Sequence, residues 1–153
     1  MEDAPIDIYN YDTIRPYTDQ ELQEAVIRIL EEPLFYKMIR WVYPGLSKTA
    51  IHSMMMNVKS VNEFQSEVSG PAFKRVIEMT TSGMSFTNIQ NLDRSKAYLF
   101  LSNHRDIILD SALLNVSLLE EGYGTTQIAI GDNLLSHRVV EDIVRSNKNF
   151  IVN

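Results

Sequence analysis

The stretch AYLFLSNHRDIILD, residues 97–110, places a histidine between two apolar segments of different character. Its first five residues form a continuous apolar run, which is typical of a strand that is covered on both faces in a parallel sheet. Residues 106–121 then predict a helix that ends at Gly122. A polar junction that follows a buried strand and opens a helix belongs at the carboxyl edge of a sheet, where α/β proteins bind ligands.

Apolar segments further along the chain continue this alternation of strand and helix. Residues 126–130 predict a strand, residues 136–146 a helix and residues 150–152 another strand. This order predicts an α/β fold in which an incomplete parallel or mixed sheet has βαβαβ order. Because the last strand lies at the end of the sequence, we expect a missing C-terminal part of the same protein to complete the sheet.

The sequence before residue 84 has the periodicity of helices rather than of strands. Five short amphipathic helices are predicted there, the first beginning with a capping box of Thr18 and Glu21. Gly70-Pro71 separates the fourth helix from the fifth. The predicted regions are an extended surface arm (1–17), a helical subdomain (18–83) and the first part of an α/β domain (84–153).

Composition excludes several classes of function. The formal net charge of −6 argues against a nucleic-acid-binding protein, which needs a basic face. The absence of cysteine excludes disulfides, thiolate metal ligands and a cysteine nucleophile. Residues 1–12 do not resemble a signal peptide, and no segment approaches the roughly 20 apolar residues that span a bilayer. We therefore expect a cytoplasmic protein.

His104 is the residue of the junction best suited to acid–base chemistry. A carboxylate on the first turns of the following helix can fix the tautomer of its ring and stabilise the imidazolium. Asp110 and Asp106 are the candidates for this role, and for Asp106 the alternative is favourable charge at a helix amino terminus. Since no protein nucleophile accompanies the pair, the attacking group would be a hydroxyl of the substrate.

This segment resembles the first motif of the glycerolphosphate acyltransferase superfamily, which is Asn-His, four variable residues and Asp. Asn103 and His104 match the motif, and Arg105 matches the His-Arg form of the glycerol-3-phosphate branch. Asp110 lies six residues after the histidine where the family has five, which an extra residue in the junction or a helix bulge would reconcile. The family's pair spans a helical turn, which favours Asp110 over Asp106.

The resemblance implies an acyltransferase of phospholipid biosynthesis. His104 would take a proton from a hydroxyl of glycerol 3-phosphate or 1-acylglycerol 3-phosphate, and the alkoxide would attack the thioester of acyl-CoA or acyl-carrier protein. No metal or cofactor is required by this chemistry. Asn103 and Arg105 would contact the substrate, although a solvated side chain is an equal alternative for Arg105.

The end of the sequence adds to the resemblance and limits it. Residues 149–152 resemble the start of the family's second motif, but the phosphate-binding arginine and the later motifs are not in the sequence. The 153 residues alone are therefore expected to be inactive. Asp132 and Asn133 follow a predicted strand and could line the substrate cleft beside His104, with a plain turn as the alternative.

Other expectations concern partners and alternative functions. A lipid product implies peripheral contact with the inner face of a membrane. Arg40, Trp41 and Tyr43 fit either a membrane interface or the helical core. A hydrolase that uses the same His/Asp pair stays open, as does a non-enzymatic helical adaptor that binds a partner through an exposed strand edge.

Overall fold

The computed structural model describes residues 11–152, and helices make up its first half. These helices are α1 (Asp19–Glu31), α2 (Pro33–Val42), α3 (Lys48–Asn57), α4 (Val61–Glu63) and α5 (Gly70–Thr80). The second half contains α6 (Leu109–Glu120), β1 (Ile128–Gly131), α7 (Arg138–Ser146) and β2 (Asn149–Val152). Short 3₁₀ turns cover Tyr11–Thr13, Ile89–Asn91 and Asp132–Leu134.

The predicted α/β class is confirmed by the unit formed by β1, α7 and β2. The two strands pair in parallel, with Ile128 opposite Asn149 and Gly131 opposite Val152. Parallel strands need a crossover connection, which α7 provides here. Within residues 11–152 the sheet has only these two strands, so the unit is βαβ rather than the predicted βαβαβ.

The prediction of a buried strand over residues 97–101 is wrong. The segment has no strand structure, and the side chains of Leu99 and Leu101 are 85% and 87% exposed. A continuous apolar run indicates a buried strand only when neighbouring strands and covering helices are available. Residues 97–101 are not paired with β1. An open cavity separates them from this strand.

The predicted helix break at Gly70-Pro71 is also wrong, because α4, a π-helical segment (Phe64–Ser69) and α5 follow one another without interruption. The N–H of Gly70 donates to the carbonyl of Gln65, five residues earlier, as in a π-helix. A Cβ on Gly70 would lie 2.8 Å from Leu119 Cδ1 of α6 and 2.9 Å from the Gln65 carbonyl oxygen. Glycine is required here because the helix passes so close to α6.

The predicted capping box at the start of α1 is confirmed. The Thr18 hydroxyl accepts a hydrogen bond from the Glu21 N–H at 3.3 Å, and the Glu21 carboxylate accepts one from the Thr18 N–H at 2.8 Å. Arg15 also donates to this carboxylate, at 2.7 Å. Hydrogen bonds from Arg15 and Thr18 lower the pKa of Glu21 to about 2, so the cap stays ionised at neutral pH.

The core of the helical region extends into the second half of the chain. Val139 of α7 is fully buried among the side chains of α1 to α3. The predicted boundary between a helical subdomain (18–83) and an α/β domain (84–153) stays a prediction. Side chains from both regions belong to this one core. Residues 1–10 of the predicted arm lie outside the described part, but Tyr17 is buried and its N–H donates to Arg145 of α7, unlike a residue of a surface arm.

A buried carboxylate connects the arm, α1 and α7. Asp142 accepts hydrogen bonds from the Tyr17 hydroxyl at 2.7 Å and from the Arg28 guanidinium at 2.8 and 3.0 Å. Arg138 lies 3.5 Å from the same carboxylate. Burial alone would raise the pKa of Asp142, but the hydrogen bonds from Arg28 and Tyr17 outweigh it and lower that pKa.

Candidate active site

The junction before α6 folds around one carboxylate oxygen. Asp110, in the first turn of α6, accepts hydrogen bonds at its Oδ2 from the backbone N–H of Arg105 at 2.6 Å and of Asp106 at 3.0 Å. The same oxygen lies 3.2 Å from Nδ1 of His104. Asp110 thus fixes the backbone of the junction and contacts the ring that the junction carries.

Asp106 has a different task. Its Oδ1 accepts hydrogen bonds from the backbone N–H groups of Leu109 and Ile108, at 2.7 and 2.9 Å. These are N–H groups at the start of a helix, which have no intrahelical partner. The structure therefore places Asp110 at the ring and Asp106 at the cap, which separates the two carboxylates that the sequence left as candidates.

Asp110 lies six positions after His104, and no helix bulge lies between them. Residues 107 and 108 form a turn, α6 begins at Leu109, and α6 is regular α-helix over its whole length. Of the two reconciliations offered for the longer spacing, an extra residue in the junction is the one compatible with this backbone, and the resemblance itself stays a prediction.

Both carboxylates are held in their ionised form. Backbone hydrogen bonds from Asp106 and Arg105, followed by the hydrogen bond to His104, lower the pKa of Asp110. Backbone hydrogen bonds from Leu109 and Ile108 lower the pKa of Asp106 in the same way. An ionised Asp110 can only accept hydrogen bonds, so among the two tautomers of the neutral His104 ring it selects the one with the proton on Nδ1, which leaves a free lone pair on Nε2.

The His104 side chain is 71% exposed on the wall of an open groove with a volume of about 1190 Å³. One wall of the groove is formed within residues 92–106, including the apolar segment 97–101. The opposite wall comes from residues 123–129, together with Phe150 of β2. The candidate base thus faces a space that a substrate can enter without any movement of the chain.

Arg94 also lines the groove, and no motif in the sequence singled it out. Its guanidinium donates to the carbonyl groups of Gly122 at 2.6 Å and Glu121 at 2.8 Å, at the end of α6. It also lies 4.1 Å from the centre of the Tyr123 ring. These contacts tie the two walls of the groove together and bring positive charge into it.

The structure does not bring all the predicted site residues together. Asn103 and Arg105 lie exposed in the junction beside His104. Asp132 and Asn133 belong to a 3₁₀ turn after β1, which agrees with the plain turn that the sequence left as the alternative, and they are not among the residues that line the groove. A shared cleft with His104 required the segment 97–101 to be a strand next to β1, and the segment is not paired with β1.

A second, apolar cavity lies behind the groove and has a volume of about 340 Å³. It is bounded by the α4–α5 run, α6, the sheet and α7, and its lining includes Phe73, Val116 and Ile143. Ile107, Ser111 and Ile128 line both this cavity and the groove. The two spaces therefore adjoin at the first turn of α6, next to Asp110.

Comparison of the chain with protein-family models, curated proteins and solved structures found no match. Over residues 11–152, no three histidine, aspartate or glutamate side chains are grouped so that they could hold a metal ion. No helix in the same range combines the length and the apolar character needed to cross a bilayer.

The contact between Asp110 and Nδ1 predicts which nitrogen of His104 carries the proton. In the neutral ring of the wild-type protein we expect the proton on Nδ1, because the ionised carboxylate accepts it. Asp110→Ala should shift the ring towards the tautomer with the proton on Nε2. ¹⁵N NMR of the ring nitrogens distinguishes the two tautomers, and His52 provides an exposed internal reference. An unchanged tautomer in the variant would contradict the pairing.

Proposed function

We propose that His104 and Asp110 are the general base and its positioning residue in an O-acyltransferase that acts on a glycerol phosphate. The observation that carries this proposal is the 3.2 Å contact between His104 Nδ1 and an ionised Asp110, at the edge of an open groove. The resemblance of residues 103–110 to an acyltransferase motif supplies the reaction class. Glycerol 3-phosphate and its 1-acyl derivative are the proposed acceptors.

The reaction follows from the chemistry of the pair. Nε2 of His104 removes the proton of an acceptor hydroxyl, and the oxygen attacks the carbonyl carbon of an acyl thioester. The C–S bond breaks, the imidazolium returns its proton to the leaving thiolate, and an ester and a free thiol result. Asp110 stabilises the imidazolium during these steps and stays ionised throughout.

The apolar cavity supports an acyl thioester as the donor. A fatty acyl chain gains free energy by leaving water, at about 0.8 kcal/mol per buried CH₂ group. The cavity adjoins the groove at Ile107, Ser111 and Ile128, so an acyl chain inside it would place its thioester near His104. The donor would be acyl-CoA or acyl-carrier protein, and the reaction would take place at the cytoplasmic face of a membrane.

The acceptor phosphate is proposed to bind at the positive side chains of the junction and the groove. Arg105 follows His104 directly and has no ion-pair partner among residues 11–152. Lys96 lines the groove, and its ammonium lies 3.5 Å from Asp93. Asn103 would contribute hydrogen bonds to the glycerol hydroxyls. An arginine fork beside the base would orient the substrate as well as bind its charge.

Filling the apolar cavity tests the position of the acyl chain. Ala112 is buried in α6 and lines this cavity. We expect Ala112→Leu to shift the donor preference of the protein towards shorter acyl chains, with the rate for the shortest donors unchanged. The measurement compares kcat/KM across acyl-CoA lengths, and Ala50→Leu, on exposed α3 surface, is the control. An identical length profile in both variants would contradict the assignment.

One observation favours a second candidate function. The exposed Leu99 and Leu101 and the unpaired edge of β1 give the chain an apolar surface of the kind that binds protein partners. An adaptor would bind a partner without needing His104. A hydrolase would instead transfer the acyl group to water, so product analysis with and without glycerol 3-phosphate separates the three possibilities.

A further inference from the structure

Helix α2 has an apolar stripe on its exposed side as well as on its buried side. Phe35, Ile39 and Val42 are buried in the helical core. Leu34, Met38 and Trp41 follow the spacing i, i+4, i+7, which places them on one side of the helix, and all three are exposed. Trp41 is 57% exposed and is the single tryptophan of the chain. The helical core thus leaves this second stripe uncovered.

Positive side chains adjoin the exposed stripe. Lys37 and Arg40 of α2 and Lys48 of α3 line a cavity of about 900 Å³ between these helices, which Trp41 also lines. The lining contains one carboxylate, Glu31. Among the residues that the structure describes, no carboxylate lies within ion-pair distance of any of the three cations. This concentration of positive charge contrasts with the net charge of −6 of the whole chain.

Tyr36 of α2 also lines the cavity between α2 and α3. The hydroxyl of Tyr36 is buried and has no hydrogen-bond partner within the described range. The Lys48 ammonium lies 4.7 Å from the centre of the same ring. This cation–π contact holds the Lys48 ammonium at the α2–α3 face, next to the cavity that Lys37 and Arg40 also line.

We propose that this α2–α3 face binds the surface of a bilayer that contains anionic phospholipids. Leu34, Met38 and Trp41 would enter the interface, where tryptophan is the preferred residue. Lys37, Arg40 and Lys48 would contact headgroup phosphates, each cation contributing through the negative surface potential of the membrane. The combination of cations with an exposed apolar stripe favours a lipid surface over a soluble anion, which offers nothing to the apolar side chains.

The membrane proposal does not depend on the proposed acyl transfer, because it rests on α2 and α3 and not on His104. The two are nevertheless compatible in space. Met38 belongs to the exposed stripe and also lines the apolar cavity behind the groove. A bilayer bound at this face would therefore lie at one opening of that cavity.

Trp41 itself reports on the proposal. Adding vesicles that contain 30% phosphatidylglycerol to the wild-type chain should shift its fluorescence emission to shorter wavelength, and the chain should sediment with the vesicles. Pure phosphatidylcholine vesicles and free inorganic phosphate should produce neither effect. No shift with the anionic vesicles would overturn the proposal, and so would a shift caused by phosphate alone. A shift that depends only on protein concentration would assign the face to a second copy of the chain and also overturn it.

Charge reversal on this face provides the matched comparison. Lys37→Glu/Arg40→Glu should weaken vesicle binding by at least about 30-fold, given roughly a fivefold contribution from each cation near a charged surface. Lys59→Glu/Lys74→Glu changes the net charge equally but lies outside the α2–α3 cavity and outside the groove, and should bind as the wild type does. If both variants weakened vesicle binding equally, the binding would depend on the net charge of the protein and not on this face, which would overturn the proposal. Loss of His104 should leave vesicle binding unchanged, which separates failure here from failure of the proposed enzyme.

Discussion

His104→Ala is expected to lower the rate of acyl transfer about 10²–10⁴-fold, the usual contribution of a general base. The side chain is exposed and its one hydrogen bond within residues 11–152 is to Asp110, so its loss should leave the free energy of unfolding nearly unchanged. The measurement is the release of free thiol from acyl-CoA with glycerol 3-phosphate as acceptor. It is made on the 153-residue chain and on any longer product of the same gene.

Two further substitutions give this experiment its controls. His52→Ala removes another exposed histidine, on α3, and should leave the rate unchanged. Asp110→Ala should lower the rate as His104→Ala does, whereas Asp106→Ala should weaken the start of α6 and affect the rate less. A His104→Ala protein with the wild-type rate would contradict the proposed general-base role of His104. If His104→Ala lowers the rate but Asp110→Ala keeps the wild-type rate, the positioning role of Asp110 is contradicted.

Features that depend on neighbouring residues could be predicted from the sequence. The capping box at Thr18 and Glu21 forms as expected, because both partners are three residues apart and need nothing from the rest of the chain. The β1–α7–β2 unit formed for a related reason, since its apolar segments are separated by one connection. The proximity of His104 and Asp110 is also local, because a single junction joins them.

Features that depend on distant surfaces could not be predicted in the same way. The apolar run 97–101 has the composition of a buried strand, yet burial requires a partner surface that the described part of the chain does not provide. The helix continues through Gly70, where a side chain would meet Leu119 of α6 and the Gln65 carbonyl, and this close approach cannot be seen in the local sequence. The expectation that Asp132 and Asn133 line a cleft beside His104 depended on the predicted strand at 97–101, and the turn they form matches the alternative interpretation.

The choice between Asp106 and Asp110 as the partner of His104 is local in sequence, yet the sequence did not decide it. Both residues are near His104 in sequence, so spacing alone left two arrangements open. Backbone hydrogen bonds distinguish them. The Asp106 carboxylate accepts from the N–H groups of Ile108 and Leu109. The Asp110 carboxylate accepts from the N–H groups of Arg105 and Asp106 and also contacts the His104 ring. A resemblance based on side-chain identity contains no information about these backbone donors.

The largest effect on stability is expected at Asp142, far from the groove. Its carboxylate is 1% exposed and receives hydrogen bonds from Tyr17 and Arg28. Asp142→Ala leaves the charge of Arg28 and the buried hydroxyl of Tyr17 without their partner, and should lower the free energy of unfolding by about 3 kcal/mol or more. Urea denaturation measures this loss.

Glu24→Ala is the matched control, because Glu24 lies 3.9 Å from the same Arg28 but is 80% exposed. An exposed ion pair of this kind contributes about 0–1 kcal/mol, so the two variants should differ clearly. Equal losses would show that burial of the Asp142 carboxylate does not matter, which would contradict the assignment of this cluster.

The effect of pH distinguishes loss of the ion pair from loss of packing. Because the folded protein lowers the pKa of Asp142 below its ordinary value of 3.8, its stabilisation is fully present above that value and disappears as pH falls through the folded pKa. The difference in unfolding free energy between the wild type and Asp142→Asn should therefore narrow below about pH 4, as linkage requires. A difference that stays constant from pH 7 to acid would mean that the carboxylate's charge contributes nothing. Packing alone, and not the hydrogen bonds and ion pairs of Asp142, would then hold residues 11–17, α1 and α7 together.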